Sequence, residues 1–372
     1  MKIEFEIVFI GILGLSWAIQ VFYYLWFMLK VSRLKPSATN HTTPNLSVII
    51  CAKNEAINLK KHLPIILNQD YPNFEVVVVN DASSDESDMI LAELKKSHNN
   101  LYYTTIPENK QFYQGKKLAL TLGVKAAKNE HLVFTDADCY PESDQWLKEI
   151  SKAFDDSKEI VIGYGRFEKK KSLFNLFLRY ETFFNTVQYM GFALRKKPFM
   201  AVGRNLAYRK SLFQKSNVFQ QYLNIASGDD DLFIKECATP TNTTVITNLS
   251  SQTTSIPPVN FSEWLTRKAR HLTTSKHYKF SIKWLLTLEP LSRQIFWTLG
   301  ICSLFFHIFV PISLGLILSR IIVQYIVLAK AGKALSEKNL YIWSILFDVV
   351  IPFIIGSVWL QNMFSANKKK WK

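Results

Sequence analysis

An uncharged and mostly apolar run extends from Ile7 to Leu29. About 20 such residues cross the hydrocarbon core of a bilayer as a helix, so this run predicts a membrane-spanning segment. The preceding Met1–Glu6 is not basic and no small-residue cleavage site follows the run, which argues for an uncleaved anchor and against a signal peptide. Lys30, Arg33 and Lys35 come directly after it, and the positive-inside rule therefore predicts that the next domain is cytosolic.

Two further apolar regions lie at Ile295–Leu328 and Leu340–Leu360, and the basic stretch Lys368–Lys372 follows them. A cytosolic basic tail requires an even number of crossings after a cytosolic domain. Pro311 interrupts the first region, and we expect residues near Arg320–Lys330 to form an amphipathic piece at the membrane interface. The sequence thus predicts an integral, multi-pass protein of the plasma or inner membrane with two C-terminal crossings.

Composition narrows the class of protein further. Hydrophobic residues make up 48% of the 372 residues and charged residues 20%, which excludes a disordered chain. The net charge of +15 is typical of proteins that bind nucleic acid, anionic membranes or phosphorylated ligands, and the 27 phenylalanines favour the membrane. The four cysteines are far apart and form no CxxC pair, so we expect free thiols rather than a zinc site or a disulfide scaffold.

Between the apolar segments, short strand-like runs alternate with helix-like stretches. The predicted strands are 46–52, 75–79, 101–106 and 131–135, and the predicted helices are 58–67, 84–95 and 116–128. This alternation predicts an α/β domain with a mostly parallel sheet, helices on both faces, and a ligand site at the carboxyl ends of the strands. We therefore divide the chain into an anchor at 1–35, a cytosolic domain at 36–285, and C-terminal membrane or interfacial helices with a basic tail at 286–372.

Acidic and amide side chains follow three of these strands. Asn54 and Glu55 come after the first, Asp81 after the second, and Asp136 and Asp138 after the fourth. Each alone is explained as a helix cap, but caps do not explain acidic residues at three strand ends. Clustered carboxylates repel one another unless a cation offsets their charge, and such oxygen ligands suit Mg²⁺ or Mn²⁺ together with a substrate phosphate. The sequence therefore predicts a divalent metal site at Asp136 and Asp138.

Together these motifs resemble the family 2 glycosyltransferases, which are membrane-embedded, inverting enzymes with a GT-A fold, a Rossmann-like nucleotide-binding α/β domain. The resemblance covers about Leu46 to His271 and includes Asn54-Glu55, the turn Asp81–Asp85, Gly115-Lys116 and Asp136-Ala137-Asp138. It implies a nucleotide-sugar donor, expected to be a UDP-sugar, that contacts Asn54, Glu55 and Asp81. It also implies that Lys116 steadies the nucleotide, that Asp136 lies near the ribose and the metal, and that Asp138 ligates the metal.

Two later segments extend the resemblance. The segment that starts at Gly203 resembles the family's Gly-x-Asn-Leu-Ala-Tyr-Arg sequence, which implies that Gly203 and Asn205 lie near the sugar and the acceptor. Ser227–Leu232 resembles the acidic motif that carries the general base, a carboxylate that takes the proton of the acceptor hydroxyl. We expect Asp230 to be this base, with Asp229 beside it; the alternative is that these residues cap the following helix.

The basic segment before His271 occupies the place of the Gln-x-x-Arg-Trp motif of polymer-forming members. Arg270 matches the motif, whereas Arg267 replaces Gln and His271 replaces Trp. We expect Arg267 and Arg270 to contact the donor, because a guanidinium suits bidentate phosphate binding, and His271 to lie on the acceptor side. The two departures argue against processive polymer synthesis, and a solvated basic helix face is the alternative interpretation.

The predicted activity is therefore transfer of a sugar to a lipid, a lipid-linked glycan or a polysaccharide at the membrane, without nucleic acid as a partner. Two other classes stay open. One is a membrane-anchored phosphotransferase or phosphatase with Asp136 as nucleophile, which leaves Asp81 and the run Asp229–Asp231 without a role. The other is a non-enzymatic scaffold whose basic surface binds anionic lipid. The aromatic stretch Leu173–Phe192 is either a core helix or an amphipathic helix on the membrane.

Overall fold

The computed structural model describes residues 2–34, 43–107, 116–216, 218–222, 225 and 227–364. The chain divides into two compact units. An α/β unit draws on residues 35–169 and 196–277, and a helical unit draws on residues 1–34, 170–195 and 278–366.

Strands and helices are numbered along the chain. The strands are β1 (Leu46–Ala52), β2 (Phe74–Asp81), β3 (Leu101–Ile106), β4 (His131–Asp136), β5 (Cys139–Pro141), β6 (Ile160–Ile162), β7 (Gly165–Phe167), β8 (Leu206–Arg209), β9 (Thr243–Val245) and β10 (Thr253–Ser255). The helices are α1 (Lys2–Phe22), α2 (Ala56–Leu67), α3 (Ser87–Ser97), α4 (Lys116–Ala126), α5 (Trp146–Ser151), α6 (Leu173–Leu194), α7 (Lys210–Lys215), α8 (Val218–Gln221), α9 (Asp231–Cys237), α10 (Phe261–Leu272), α11 (Phe280–Phe305), α12 (Val310–Ala334) and α13 (Ser344–Phe364).

The main sheet of the α/β unit has the order β3-β2-β1-β4-β8-β6-β9. Parallel pairing joins β3, β2, β1 and β4, whereas β8 runs antiparallel to both β4 and β6. The four predicted strands are confirmed, and β2 and β4 extend slightly beyond their predicted ends. A smaller sheet has the order β5-β10-β7.

Helices cover both faces of the main sheet, as predicted. The run Val76–Val79 is fully buried, and Val76 and Val78 share a core with Leu63 of α2 and Leu91 of α3. Successive side chains of a strand point to opposite faces, so the intervening residues meet the other layer. There α4 approaches so closely that a Cβ at Gly123 would lie 2.7 Å from Ile49 Cγ2. Glycine at this position therefore permits the contact between α4 and the sheet.

The register of the parallel strands determines where the site lies. Cys51 of β1 is in register with Val79 of β2 and with Asp136 of β4. The carboxyl ends of three neighbouring strands therefore finish at nearly the same level. The polar residues that follow them meet at one edge of the sheet, which is where such sheets bind ligands.

Among the residues that the structure describes, three segments of the helical unit have the length and hydropathy of a membrane span, Glu4–Arg33, Val310–Ala334 and Leu340–Gln361. The first and third coincide with the apolar runs at 7–29 and 340–360. The predicted region 295–328 is not one segment, because α11 ends at Phe305 and α12 begins at Val310. Pro311 lies in the first turn of α12, where its missing N–H breaks no helical hydrogen bond. The proline therefore begins a helix instead of interrupting one.

The expected interfacial piece near Arg320–Lys330 is wrong, because these residues form the middle of α12 and Arg320 is fully buried. Arg320 Nη1 lies 2.8 Å from Asp348 Oδ2, and its Nη2 donates to Gln20 Oε1 at 2.7 Å. Arg293 completes the cluster, 3.3 Å from Asp348 Oδ1 and 3.1 Å from Glu289 Oε2. This polar cluster joins α1, α11, α12 and α13 inside the helical unit.

The aromatic stretch at 173–192 forms α6, which is part of the helical unit. Ser172 caps its start by accepting a hydrogen bond from Asn175 N at 3.0 Å. Large side chains along its whole length are buried, among them Tyr180, Phe183 and Tyr189. Their burial supports the core-helix interpretation over a helix that lies on the membrane.

Candidate active site

The loops that follow β1 and β2 are hydrogen-bonded to each other. Asn54 N donates to Ser83 Oγ at 2.9 Å, and Asn54 Oδ1 accepts from Ser84 N at 2.8 Å. Asp85 Oδ2 accepts from Ala56 N at 3.0 Å, so Asp85 supports the first turn of α2 from the other loop. The two motifs that the sequence placed at one sheet edge are thus in direct contact.

Asp81 ends β2 as a fully buried carboxylate. Neither of its oxygens has a hydrogen-bond partner among the described residues, and Lys53 Nζ lies 3.8 Å from Oδ2. Burial raises the pKa of Asp81, and the charge of Lys53 opposes that rise. A buried acceptor without a donor is uncommon in proteins, so this carboxylate is well suited to accept a hydrogen bond from a ligand. Glu55, at the adjacent loop, accepts from Asn58 Nδ2 at 2.5 Å.

Asp136, Asp138 and Cys139 present one potential metal ligand each, and these atoms lie within 4.8 Å of one another. The Cys139 thiol donates to Asp138 Oδ1 at 3.3 Å. Burial, and then the charge of Asp136, raises the pKa of Asp138. A divalent cation would offset both effects, so the donor set fits such an ion. The sequence predicted the two carboxylates but not the thiol.

Lys116 at the start of α4 connects two acidic motifs that are far apart in sequence. Its Nζ lies 2.8 Å from Asp136 Oδ1 and 2.8 Å from Asp229 Oδ2. Burial opposes the charge of this ammonium, but the carboxylates of Asp136, Asp229 and Asp230 outweigh it and raise the pKa of Lys116. The adjacent Gly115 of the predicted motif lies outside the described residues.

The acidic segment before α9 gives its carboxylates different environments. Asp230 is the N-cap of α9, where Oδ1 accepts from Asp231 N at 2.8 Å, and its Oδ2 accepts from Gly203 N at 2.9 Å. Burial, together with the charges of Asp229 and Asp231, raises the pKa of Asp230 to about 7. Burial opposes ionisation of Asp229 too, but Lys116 outweighs it and lowers the pKa of Asp229 to about 2. The helix-cap interpretation thus holds for Asp230, the same residue that we expect to be the base.

One pocket is lined both by Asp136 of the Asp136–Asp138 motif and by Asp229 and Asp230 of the acidic segment before α9. Its lining includes Lys116, Asp136, Gly203, Asp229 and Asp230, together with residues of β1, β4 and β8. Five predicted site residues therefore share one concave site. The predicted Asn54, Glu55, Asp81, Asp138, Asn205, Arg267, Arg270 and His271 are not among the described residues that line it.

Asn205 is buried, and its amide group is occupied by protein partners. It donates to Tyr164 O at 3.0 Å and to Ser251 O at 2.8 Å, and it accepts from Trp146 Nε1 at 3.2 Å. This side chain therefore fixes the backbone that carries Gly203. The neighbouring Arg204 stacks over a phenylalanine ring with 4.4 Å between its Cζ and the ring centroid.

The two predicted arginines of α10 differ in their environments. Arg267 Nη2 lies 2.6 Å from Glu263 Oε1 one turn earlier, so its charge is already paired along the helix. Arg270 has a buried Nε without a hydrogen-bond partner among the described residues. The helix-face interpretation is therefore better supported for Arg267 than for Arg270.

His271 connects α10 with the acidic segment. Its Nδ1 lies 3.4 Å from Ser227 Oγ. Desolvation by the surrounding protein, and then the positive charges of Arg270 and Lys268, lower the pKa of His271, although the residue is exposed to solvent. The ring is therefore neutral at physiological pH and is able to take part in hydrogen bonding as donor or acceptor.

Sequence reasoning missed two residues that support the acidic segment. Lys117 Nζ donates to the carbonyl oxygens of Ile225 and Ser227, and Thr274 Oγ1 donates to Asp231 Oδ2. Lys117 directly follows a lysine with a predicted role, and a second lysine at that position gives no separate signal. Thr274 follows the basic segment and belongs to no motif.

Comparison with known proteins is consistent with this geometry. Residues 47–216 match the sequence profile of glycosyl transferase family 2. A poly-beta-1,6-N-acetyl-D-glucosamine synthase of Staphylococcus epidermidis is 28% identical over 134 residues, which cover 36% of this chain and 31% of that protein. The GalNAc(5)-diNAcBac-PP-undecaprenol beta-1,3-glucosyltransferase of Campylobacter jejuni is 32% identical over 95 residues, which cover 26% of this chain and 30% of that protein. The matched part thus spans about a third of the length of these curated relatives.

A solved structure shares the fold. The mannosyltransferase PcManGT from Pyrobaculum calidifontis, determined in complex with GDP-Man and Mn²⁺, matches with a TM-score of 0.62 and 18% sequence identity. The match covers 97% of this chain and 99% of that one. The predicted GT-A fold is therefore confirmed.

Proposed function

We propose that the protein, whose residues 47–216 match the sequence profile of glycosyl transferase family 2, is a membrane-bound, inverting glycosyltransferase. It transfers a sugar from a nucleotide sugar, with a UDP-sugar as the expected donor, to a lipid, a lipid-linked glycan or a polysaccharide. The observation that carries this proposal is the pocket in which Lys116 lies between Asp136 and Asp229, with Asp230 beside them. This arrangement supports the proposal because the cationic Lys116, whose charge suits a phosphate, lies next to a carboxylate that is able to take a proton.

The donor occupies the edge of the sheet at the ends of β1, β2 and β4. Asp81 accepts a hydrogen bond from the nucleoside, with Asn54 and Glu55 on the adjacent loop. Lys116 and Arg270 offset the negative charge of the diphosphate. Asp136 and Asp138 would hold a divalent metal, Mg²⁺ or Mn²⁺, which when bound would supply Lewis acidity toward the departing diphosphate.

The acceptor approaches from the side of Gly203 and Asp230. Its hydroxyl oxygen forms a bond to the anomeric carbon as the bond from that carbon to the diphosphate oxygen breaks. Asp230 takes the hydroxyl proton, and the diphosphate leaves with the electron pair, so the configuration at the anomeric carbon inverts. A pKa of about 7 suits a general base at neutral pH, because about half of the molecules then carry the ionised group and that group still accepts a proton readily. Asp229, already ionised and bonded to Lys116, is the second candidate for this role.

The helical unit and the relatives support the proposed class of acceptor. Three candidate spans favour an acceptor that is delivered at a membrane. One relative is named for a polysaccharide and another for an undecaprenol-linked glycan. The basic residues after the first span favour a cytosolic α/β unit in a plasma or inner membrane protein. Asn205 and His271 lie on the acceptor side of the proposed site. Asn205 acts there indirectly, because its side chain fixes the backbone that carries Gly203.

Calorimetric titration of UDP into the detergent-solubilised full chain, with Mn²⁺ and then with EDTA, tests the proposal. We expect binding that requires the metal, and we expect the Asp138→Ala variant to lose that requirement together with most of the affinity. The exposed Asp156→Ala is the matched control and should bind as the wild type does. A failure to bind UDP with either additive would reject a UDP-sugar donor, and a failure to bind any nucleotide would reject the transferase proposal.

A further inference from the structure

Two adjacent lysines at the start of α4 have different partners. Lys116 is bonded to carboxylates, whereas Lys117 is bonded only to backbone carbonyls in the described part of the chain. Lys117 is 7% exposed, and its Nζ donates to Ile225 O and, at 2.6 Å, to Ser227 O. It therefore holds the backbone at Ile225 and Ser227, shortly before Asp229.

Burial of an ammonium group without an ion pair costs free energy unless hydrogen bonds and nearby charge compensate. Burial lowers the pKa of Lys117, and the carboxylates of Asp229, Asp231 and Asp230 oppose that shift. The acidic segment and the lysine thus stabilise each other through charge as well as through the two hydrogen bonds. A methionine of similar length would retain the packing of the stem and lose both contributions.

The same segment is also held from its other end. Thr274, 1% exposed, donates to Asp231 Oδ2. Between the two attachments lies Gly228, whose φ of +95° is a conformation that favours glycine. The short run Ser227–Asp231 is therefore fixed at both ends around a turn.

We propose that Lys117 is a positioning residue for the transfer reaction. By holding Ser227 it keeps Asp229 within reach of Lys116 and keeps Asp230 at the acceptor side of the pocket. This inference rests on the proposed function, because the consequence for rate requires that Asp229 or Asp230 take part in transfer. A displacement of about 1 Å at a reacting group is able to cost about 10²-fold in rate.

The test compares Lys117→Met, Lys117→Arg and the control Lys125→Met, an exposed lysine on the same helix. Hydrogen–deuterium exchange of peptides that cover 227–232 reports the attachment itself, without any need for activity. Steady-state kinetics report its consequence. For Lys117→Met we expect faster exchange in this peptide, a fall in kcat of about 10- to 100-fold, and a KM for the donor within about 2-fold of the wild type. Lys117→Arg, which keeps a donor to the carbonyls, should recover part of the loss in kcat.

Unchanged exchange in Lys117→Met would overturn the attachment, and faster exchange with unchanged kcat would overturn the positioning role. If Lys117→Met does not fold, Thr274→Val removes the second attachment and should give the same pattern of faster exchange and lower kcat. If the wild type transfers no sugar, the proposed function fails, whereas the exchange data still decide whether Lys117 holds the segment.

Discussion

Asp230 accepts the backbone N–H of Gly203, with 2.9 Å between Oδ2 and N. Asp231 N donates to the other oxygen at 2.8 Å, so the carboxylate is held in one orientation. Each carboxylate oxygen has a second lone pair and is still able to accept a proton or a hydrogen bond. The two hydrogen bonds therefore orient the carboxylate of Asp230 and leave it able to accept a proton.

We expect Asp230→Asn to lower kcat by about 10²- to 10⁴-fold, the usual contribution of a general base, and to leave UDP affinity almost unchanged. The wild-type kcat should rise as the pH rises through about 7, because the base is active only when ionised. Asp229→Asn should instead weaken UDP binding as well, since Asp229 holds Lys116 in place. Measurements of kcat by steady-state kinetics and of UDP affinity by calorimetry on the two variants test these expectations. A normal kcat in Asp230→Asn together with a large loss in Asp229→Asn would move the base to Asp229.

The same pKa predicts how stability depends on pH. Because the pKa of Asp230 is raised from 3.8 to about 7 in the folded state, the folded protein binds this proton more tightly than the unfolded chain. The resulting stabilisation is fully present below about pH 4 and is lost as the pH rises through about 7. Thermal midpoints between pH 4 and pH 8 should therefore show that Asp230→Asn gains on the wild type as the pH increases. A constant difference across this range would contradict the raised pKa.

Arg267 and Arg270 provide a matched pair on one helix. Arg270→Ala should lower kcat more than it raises the KM for the donor, because a charge that stabilises the departing diphosphate acts mainly in the transition state. Arg267→Ala should have little effect on either constant, since Arg267 is paired with Glu263 at the surface of α10. Steady-state measurements of kcat and of the KM for the identified donor test both expectations. Equal effects of the two substitutions would contradict a role of Arg270 in the reaction and would favour the interpretation of α10 as a solvated basic helix face.

Much of the α/β unit was predictable because its strands are short apolar runs that carry their own signal. The β-branched run before Asp81 and the apolar run before Asp136 each predict a buried strand and place an acidic residue at its end. Once parallel pairing is assumed, these residues must meet at one edge. The hydrogen bonds between the loops at Asn54 and Ser84 follow from that geometry.

Contacts between distant segments could not be predicted in the same way. Lys117 lies more than 100 positions before Ser227, and no spacing rule connects them. A single acidic residue such as Asp348 in an apolar run gives no indication of its partner, which is Arg320 on another helix. The interfacial position expected for residues near Arg320–Lys330 is wrong for the same reason, because one charge in an apolar run is costly in a membrane unless its partner is known.

The final prediction concerns the ion pair between Asp348 and Arg320. Asp348 accepts from Trp297 Nε1 at 2.6 Å, besides its contacts with Arg320 and Arg293, and it is fully buried. Removal of one partner from a buried ion pair typically costs about 3–5 kcal/mol, because the remaining charge is left uncompensated. We expect Asp348→Asn to lower the thermal midpoint of the solubilised chain markedly.

A double variant distinguishes loss of pairing from loss of packing. Asp348→Leu combined with Arg320→Met removes the pair and should be more stable than Asp348→Leu alone, because no unpaired Arg320 charge remains. The exposed Asp156→Asn serves as control and should leave the midpoint unchanged. Additive losses in the double variant would show that Asp348 and Arg320 contribute independently. Nonadditive recovery would show that the pair itself holds α12 and α13 together within the helical unit.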